Sequence, residues 1–425
     1  MSCPVTSREA PGRIALDPLV QDLRGEGARL RAAGPIAPVE LPGGVPVWAV
    51  TRHAEARQLM TDSRLVKDIN VWGAWQRGEI PQDWPLIGLA NPGRSMLTVD
   101  GAEHRRLRTK VAQALTPRRV EALRPGIEAV TAQLLDELAA QGADGEPVDL
   151  KAAFAYPLPM AVISELMGID SADHPRLREL YDAFFSTQTP PEEVPAVLAE
   201  LYGLFSKVVA AKQADPGDDL TSALIQADEG GEPLTDEELV GTLQLMIAAG
   251  HETTISLLVN AVRALLTHPD QLALVLAGEV SWEAVVEETL RWDTPTSHVL
   301  IRFATEDIEI SGAVIPRGDA LITSYVAIGR DEEQHGPSAD AFDVTRSPIR
   351  HMSFGHGPHV CPGAPLSRLE GQIALPALFD RFPGLTLAVP DTELRNKPAV
   401  TQNDLYELPV RLTAPAVAPT ADSAS

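Results

Sequence analysis

Apolar residues recur at helical spacing through the middle of the chain, while short alternating runs gather towards its two ends. Ile127, Val130, Leu134 and Leu138 lie three or four positions apart, the spacing that lines one face of an α-helix. The same period runs over 150–168, 176–186 and 193–212, and Asp215-Pro216-Gly217-Asp218-Asp219 reads as a turn after them. Thr235 before Asp236, Glu237 and Glu238 is an N-cap signal with an acidic first turn, opening a helix predicted to continue past 260. Short strands are predicted at 45–51, 307–310, 320–323 and within 385–412, with a helix over 53–61 after the first of them. Residues 1–35 are predicted to be irregular. The segment 413–425, rich in Ala, Pro, Ser and Thr, reads as a disordered tail. Between 66 and 100 periodicity is weak, yet Trp72, Trp75 and Trp84 fall there, and an ordered loop of that length is usually functional. We expect it to cover a substrate. No linker or composition break divides 36–412, so the pattern predicts one mainly α domain with a minor β part.

Composition narrows the possible functions. The formal charge of −24 argues against nucleic acid as a partner. Two cysteines exclude a disulfide framework and fit a reducing cytoplasm. The first residues lack the apolar core of a signal peptide, and no uninterrupted apolar run approaches the ~18 residues of a membrane span; a cytoplasmic protein is expected. Against the acidic background stands one basic cluster, Arg105, Arg106, Arg108, Lys110, Arg118 and Arg119.

Candidate chemistry concentrates in Phe354-Gly355-His356-Gly357-Pro358-His359-Val360-Cys361-Pro362-Gly363. Glycines let a backbone approach a flat partner with no Cβ in the way. Pro362 suits the first position of a following helix, which would put Cys361 at a helix N-terminus, where a thiol's pKa falls. Taken by itself, Cys361 could be a small buried hydrophobe or, with His356 and His359, part of a zinc site, although Cys3 is the only other thiol. A thiolate on a glycine-bared loop also suits a haem iron. A second run, Ala249-Gly250-His251-Glu252-Thr253-Thr254, lies mid-helix, where glycine and threonine are poor formers. Gly250 leaves room for a close neighbour, and Glu252 beside Thr253 supplies a carboxylate and a hydroxyl able to relay protons. Glu288 and Arg291 form an i, i+3 acid–base pair.

The first run resembles the haem-binding signature of the cytochrome P-450 family, Phe-Gly-x-Gly-x-His-x-Cys-x-Gly, at Phe354, Gly355, Gly357, His359, Cys361 and Gly363. The second resembles the family's oxygen-activating motif, and the resemblance spans roughly residues 40–412. It implies a cytochrome P-450 fold, mainly α with minor β, with haem b between a long distal helix and a proximal loop and helix bearing Cys361. It implies Cys361 as the metal ligand, and His104, Arg108, Arg302 and His359 around the haem propionates. Phe354, Gly355, Gly363, Ala249 and Gly250 would also contact the haem, and Glu252 and Thr253 would be catalytic. Glu288, Arg291 and Arg346 would form a structural triad. The implied activity is insertion of one oxygen atom of O2 into a C–H bond. Electrons would come from NAD(P)H through a separate ferredoxin and its reductase, since the sequence carries no flavin or iron–sulfur motif. Other basic-cluster residues, Arg105 or Arg106, would dock the ferredoxin. Ile69-Asn70-Val71-Trp72-Gly73-Ala74-Trp75-Gln76 looks like a subfamily that oxidises bulky hydrophobic molecules, steroid-like or macrolide. Candidate pocket residues are Trp84, Leu86, Met96, Phe184, Phe185, Leu245, Ala248, Ala249, Val299 and Gln402. A peroxide-using relative and a non-catalytic haem-thiolate ligand- or gas-binding protein are the alternatives.

Overall fold

The computed structural model describes residues 12–82, 84–91, 93–227 and 232–413, without the side chains of Val299, Leu300 and Thr413. Its centre is one 32-residue helix, Asp236–Thr267. The expected N-cap is present as a full capping box: Thr235 accepts from the Glu238 N–H, and the Glu238 carboxylate accepts from the Thr235 N–H. Helices Val194–Ala214, Pro157–Met167, Trp282–Trp292 and Ala364–Arg381 pack around it. Leu257, Val259, Ala261, Ala264 and Leu265 are fully buried in that core, where each large side chain contributes about 1.5–3 kcal/mol. Both Val194–Ala214 and Asp236–Thr267 contain stretches apolar enough for a membrane span by length and composition, a point the sequence reading missed. The long helix is mostly buried inside the protein, as a core helix should be.

A six-stranded sheet joins the two ends of the chain. Its order in space is Ile14–Ala15, Ile36–Leu41, Val45–Val50, Ala320–Ser324, His298–Ala304 and Leu65–Val66. Ile36–Leu41 and Val45–Val50 form an antiparallel hairpin, and Val45–Val50 then pairs in parallel with Ala320–Ser324, Trp48 opposite Leu321. In a smaller sheet, Pro409–Thr413 is the central strand, pairing antiparallel with Gly384–Leu387 on one side and Val148–Asp149 on the other. Between Leu387 and Pro409 the chain is mostly loop rather than strand, because it turns back to contact the long helix.

Several expectations are corrected. The segment 1–35 contains helix Leu23–Ala33 and strand Ile14–Ala15; residues 1–11 lie outside the described residues. The helix was hidden by Gly25 and Gly27. A Cβ on Gly27 would stand 3.3 Å from the Val326 carbonyl, so glycine there permits close packing on the turn Tyr325–Ile328. Thr413 belongs to the last strand, and 414–425 lie outside the described residues. The 66–100 stretch holds short helical pieces at Ile69–Val71, Gly73–Gln76 and Ile87–Ala90. Its tryptophans are structural anchors rather than a cover. Trp72 stacks on Phe303 at 5.4 Å, and buried Trp84 donates its indole N–H to the Pro42 carbonyl at 2.8 Å.

Candidate active site

Gly355 and Gly357 adopt φ of 73° and 74°, the left-handed region that favours glycine. They turn the loop back so that the Cys361 N–H donates to the Phe354 carbonyl at 2.8 Å. These two glycines therefore shape the loop, and a Cβ on Gly357 would collide with Thr61 Cγ2 at 2.7 Å. The helix after the loop starts at Ala364 with Pro365 in its first turn, not at Pro362 as expected. Burial pushes the Cys361 thiol up, against the N–H groups of Gly363 and Ala364 and the charge of Arg108. The expected lowering by a helix N-terminus is thus outweighed by desolvation. A coordinated metal ion would deprotonate the thiol outright.

Beside the loop lies a cluster of basic groups. Helix Gly101–Ala114 carries His104 and Arg108 one turn apart. Arg108 donates to the Val360 carbonyl at 2.6 Å, next to Cys361. The His104 and His359 ring centroids are 4.1 Å apart. His104 Nε2 is buried without a hydrogen-bond partner, and burial together with His359 and Arg108 lowers its pKa to about 4. His359 Nε2 faces Asp100 Oδ1 at 3.3 Å. Buried Arg302 makes one long hydrogen bond among the described residues, to the Leu65 carbonyl at 3.4 Å.

Along the long helix, Ala249 is exposed at mid-helix, and Leu245, Ala248 and Thr253 are only half-buried. These side chains define a stripe that faces open space inside an otherwise packed helix. Thr253 donates its hydroxyl to the Ala249 carbonyl at 2.6 Å, the back-bond that locally loosens a helix. Thr254 Oγ1, at 3.3 Å from Ser367 Oγ, links this helix to the one that follows Cys361. A Cβ on Gly250 would press on Ile163 Cδ1 at 3.2 Å, so this glycine serves close contact with helix Pro157–Met167.

Glu252 is buried and points towards a different environment from Thr253. His251 Nδ1 stands 3.4 Å from Glu252 Oε1 without hydrogen-bond alignment, and neither His251 nitrogen has a hydrogen-bond partner among the described residues. Burial opposes ionisation of Glu252, but His251, Lys397 and Lys151 outweigh it and hold the carboxyl below its ordinary range. A cavity of about 400 Å³ reaches Glu252 between Lys151, Tyr181, Phe185, Lys397 and Gln402. Lys151 pairs with Asp404 at 2.6 Å, and Lys397 with Asp182 at 2.7 Å. Sequence reasoning missed this ionic lining because its members are scattered from 151 to 404. A larger groove of about 510 Å³ lies elsewhere, beside the ion-paired Arg176 and Glu200.

The remaining candidates separate clearly. Phe185 and Gln402 share the cavity with Glu252. Phe184 stacks edge-on against Phe185 at 4.9 Å. Trp84, Leu86 and Met96 are buried core residues, a correction driven by their contacts with the sheet and the helical core. Val299 sits in a strand with a bulge before Arg302, and its side chain is outside the described residues. Glu288, Arg291 and Arg346 do meet. Fully buried Arg291 binds both oxygens of Glu288 at 2.7 and 2.6 Å, and Arg346 lies 3.6 Å from the same carboxylate. Arg291 also donates to the carbonyls of Gly329, Ala339 and Ala341, tying down the segment that leads to the Cys361 loop.

A buried imidazole nitrogen without a hydrogen-bond partner among the described residues, two arginines, a thiol on the loop and an open helix stripe together fit a flat, dianionic cofactor whose metal a sulfur would hold. By contrast, no cluster of three His, Cys, Asp or Glu suited to a metal ion occurs among the described residues. Comparison with known proteins agrees with the haem reading. The cytochrome P450 family model matches residues 197–275 and 282–410. A 2-hydroxy-5-methyl-1-naphthoate 7-hydroxylase of Streptomyces carzinostaticus is 43% identical, over 95% of this chain and 98% of its own. The structure of CYP154C4 from Streptomyces sp. W2061 is 72% identical and superimposes with a TM-score of 0.93 over 95% of this chain and 98% of its own. A testosterone-bound CYP154C4 from Streptomyces sp. ATCC 11861 is 71% identical, with a TM-score of 0.93 over 96% and 100%. The chain belongs to the cytochrome P450 family, with the fold expected from sequence, and is a monooxygenase. Membership implies haem, O2 as co-substrate and electrons derived from NAD(P)H.

Proposed function

We propose that this monooxygenase hydroxylates a bulky, rigid, steroid-like substrate in the cytoplasm, with electrons from a ferredoxin and its reductase. The observation that carries the reading is the open stripe Leu245, Ala248, Ala249 and Thr253 on a helix joined through Thr254 and Ser367 to the helix after Cys361. Small and aliphatic side chains on that stripe offer a flat apolar wall, suited to a fused-ring molecule. The steroid found in a 71% identical structure supports the same class. Titration with steroids should displace iron-bound water and shift the Soret band. A steroid panel without effect, while smaller aromatic acids bind, would overturn the substrate class.

In this reading Cys361 would hold the haem iron through its sulfur, and His104, Arg108, Arg302 and His359 would hold the propionates. Haem supplies oxygen activation when bound. The chain's own part is to orient substrate, exclude water and manage protons. Thr253, with its proton committed to the Ala249 carbonyl, presents lone pairs that can accept a hydrogen bond and hold a donor in line. Glu252, ionised at the end of a polar cavity, can take protons from solvent and pass them inward. Thr253→Ala should keep haem and substrate binding but lower product formed per NADH several-fold, with peroxide making up the difference. Thr253→Ser should restore most of the coupling. Unchanged coupling in the alanine variant would leave Thr253 a packing residue.

The basic cluster divides by environment. Arg106 is tied to Glu103 and Glu238, Lys110 is buried against the Ala227 carbonyl, and Arg119 reaches Asp218. Arg105 and Arg118 are exposed, so the docking role expected for Arg105 or Arg106 falls to Arg105, with Arg118. Arg105→Glu with Arg118→Glu should slow ferredoxin-driven turnover about ten-fold at low salt, the difference shrinking as salt screens the charges. Peroxide-driven turnover should be unchanged. A parallel loss by both routes would show that these arginines support the fold instead.

A further inference from the structure

Lys67 is a buried cation that the sequence motifs do not touch. It follows strand Leu65–Val66, which pairs antiparallel with His298–Ala304, Val66 opposite Phe303. One more step of that register sets Lys67 opposite Arg302, and side chains directly opposite share a face. Two like charges so placed destabilise a sheet unless an anion lies between them. Lys67 is only 6% exposed and Arg302 only 7%. Lys67 Nζ donates to the Ile301 carbonyl at 3.1 Å, while its backbone N–H donates to Asp100 Oδ2 at 2.6 Å. Burial first and Arg302 second push its ammonium well below the ordinary lysine value, with Asp100 as the opposing charge. Asp100 also faces His359, and through it the His104 ring.

Charge balance gives this placement its meaning. Among the described residues, three strongly basic side chains, Lys67, Arg108 and Arg302, stand around the cluster against one carboxylate, Asp100. Two further carboxylates make the account neutral, and haem carries two propionates. Without Lys67 the loaded site would bury one uncompensated negative charge, which is costly in a low-dielectric interior. We propose that Lys67 is a further propionate-binding residue and that Asp100 positions it. The inference rests on the haem-thiolate reading above.

The test uses the holoenzyme. Lys67→Met should speed haem transfer to apomyoglobin roughly ten-fold, the effect of losing one charge-assisted hydrogen bond. It should also lower the ferric/ferrous reduction potential, because the unbalanced negative charge favours the ferric state. Lys67→Arg should retain wild-type values of both. Lys67→Met combined with Asp100→Asn should bring the potential back towards wild type by restoring charge balance. If Lys67→Met does not fold, Lys67→Gln carries the same comparison. Wild-type haem loss and potential in the methionine or glutamine variant overturn the proposal, whatever happens to thermal stability. A wild-type protein that binds haem without a thiolate Soret band would instead overturn the haem-thiolate reading.

Discussion

Replacing Cys361 with serine is expected to reduce product formation to the level of a haem-free control. Serine keeps the size and the loop contacts, including the N–H bond to the Phe354 carbonyl. It removes the anionic sulfur donor of this loop, since an alkoxide forms far less readily than a thiolate. The reduced carbon monoxide complex of the wild type should show the red-shifted Soret band of thiolate ligation, and Cys361→Ser should lose it. Because burial holds the thiol up, ligation must overcome that cost. Haem uptake by the wild type should therefore release a proton, measurable in weakly buffered solution. A red-shifted band in the serine variant would remove Cys361 from the metal.

The second large effect is on stability. Arg291→Met should destabilise the protein by about 3–5 kcal/mol, since it leaves the Glu288 carboxylate buried without its main partner. That is a large share of the ~5–15 kcal/mol that holds a typical domain folded. Three backbone carbonyls would lose their donor as well, so the segment before the Cys361 loop should loosen and haem content should fall. Arg346→Met should cost much less, because its contact with Glu288 is longer, 3.6 Å, and is not a hydrogen bond, while Arg291 keeps both carboxylate oxygens paired. Urea midpoints with haem-to-protein ratios measure both. Equal losses from the two substitutions would contradict this ranking.

Much of the fold was legible because local signals agreed with the packing. The Thr235 capping box, the 3.6-residue period of the middle third and the loop glycines at 355 and 357 each act within a few residues. Helix Leu23–Ala33 was not legible, since its Gly27 answers to a neighbour some 300 residues away. The tryptophans of 66–100 misled for a similar reason: a buried indole needs one distant hydrogen-bond acceptor, and periodicity cannot reveal Pro42. At the site, Cys361, His104, Arg108 and Arg302 were found through motifs. That the missing Cβ of Gly250 faces Ile163 could not be read from the motif, since only the structure shows which side of the helix it lies on. Lys67, Asp100, Lys151, Lys397 and Asp404 were missed, since single charges at unremarkable positions converge only in three dimensions. Lys67 comes to lie across from Arg302 only through the pairing of Leu65–Val66 with His298–Ala304, which no local pattern announces.

The parallel pairing of Val45–Val50 with Ala320–Ser324 sets a timetable for biosynthesis. The hairpin Ile36–Leu41 with Val45–Val50 leaves the ribosome early, but its partner strand follows about 270 residues later. At the usual rate of chain growth that is a delay on the order of tens of seconds. Throughout it, Val45–Val50 presents an unpaired, largely apolar edge, the kind of template that recruits other nascent chains. The same late segments thus close the sheet and carry the thiol, and neither can be in place until residues 320–361 have been made.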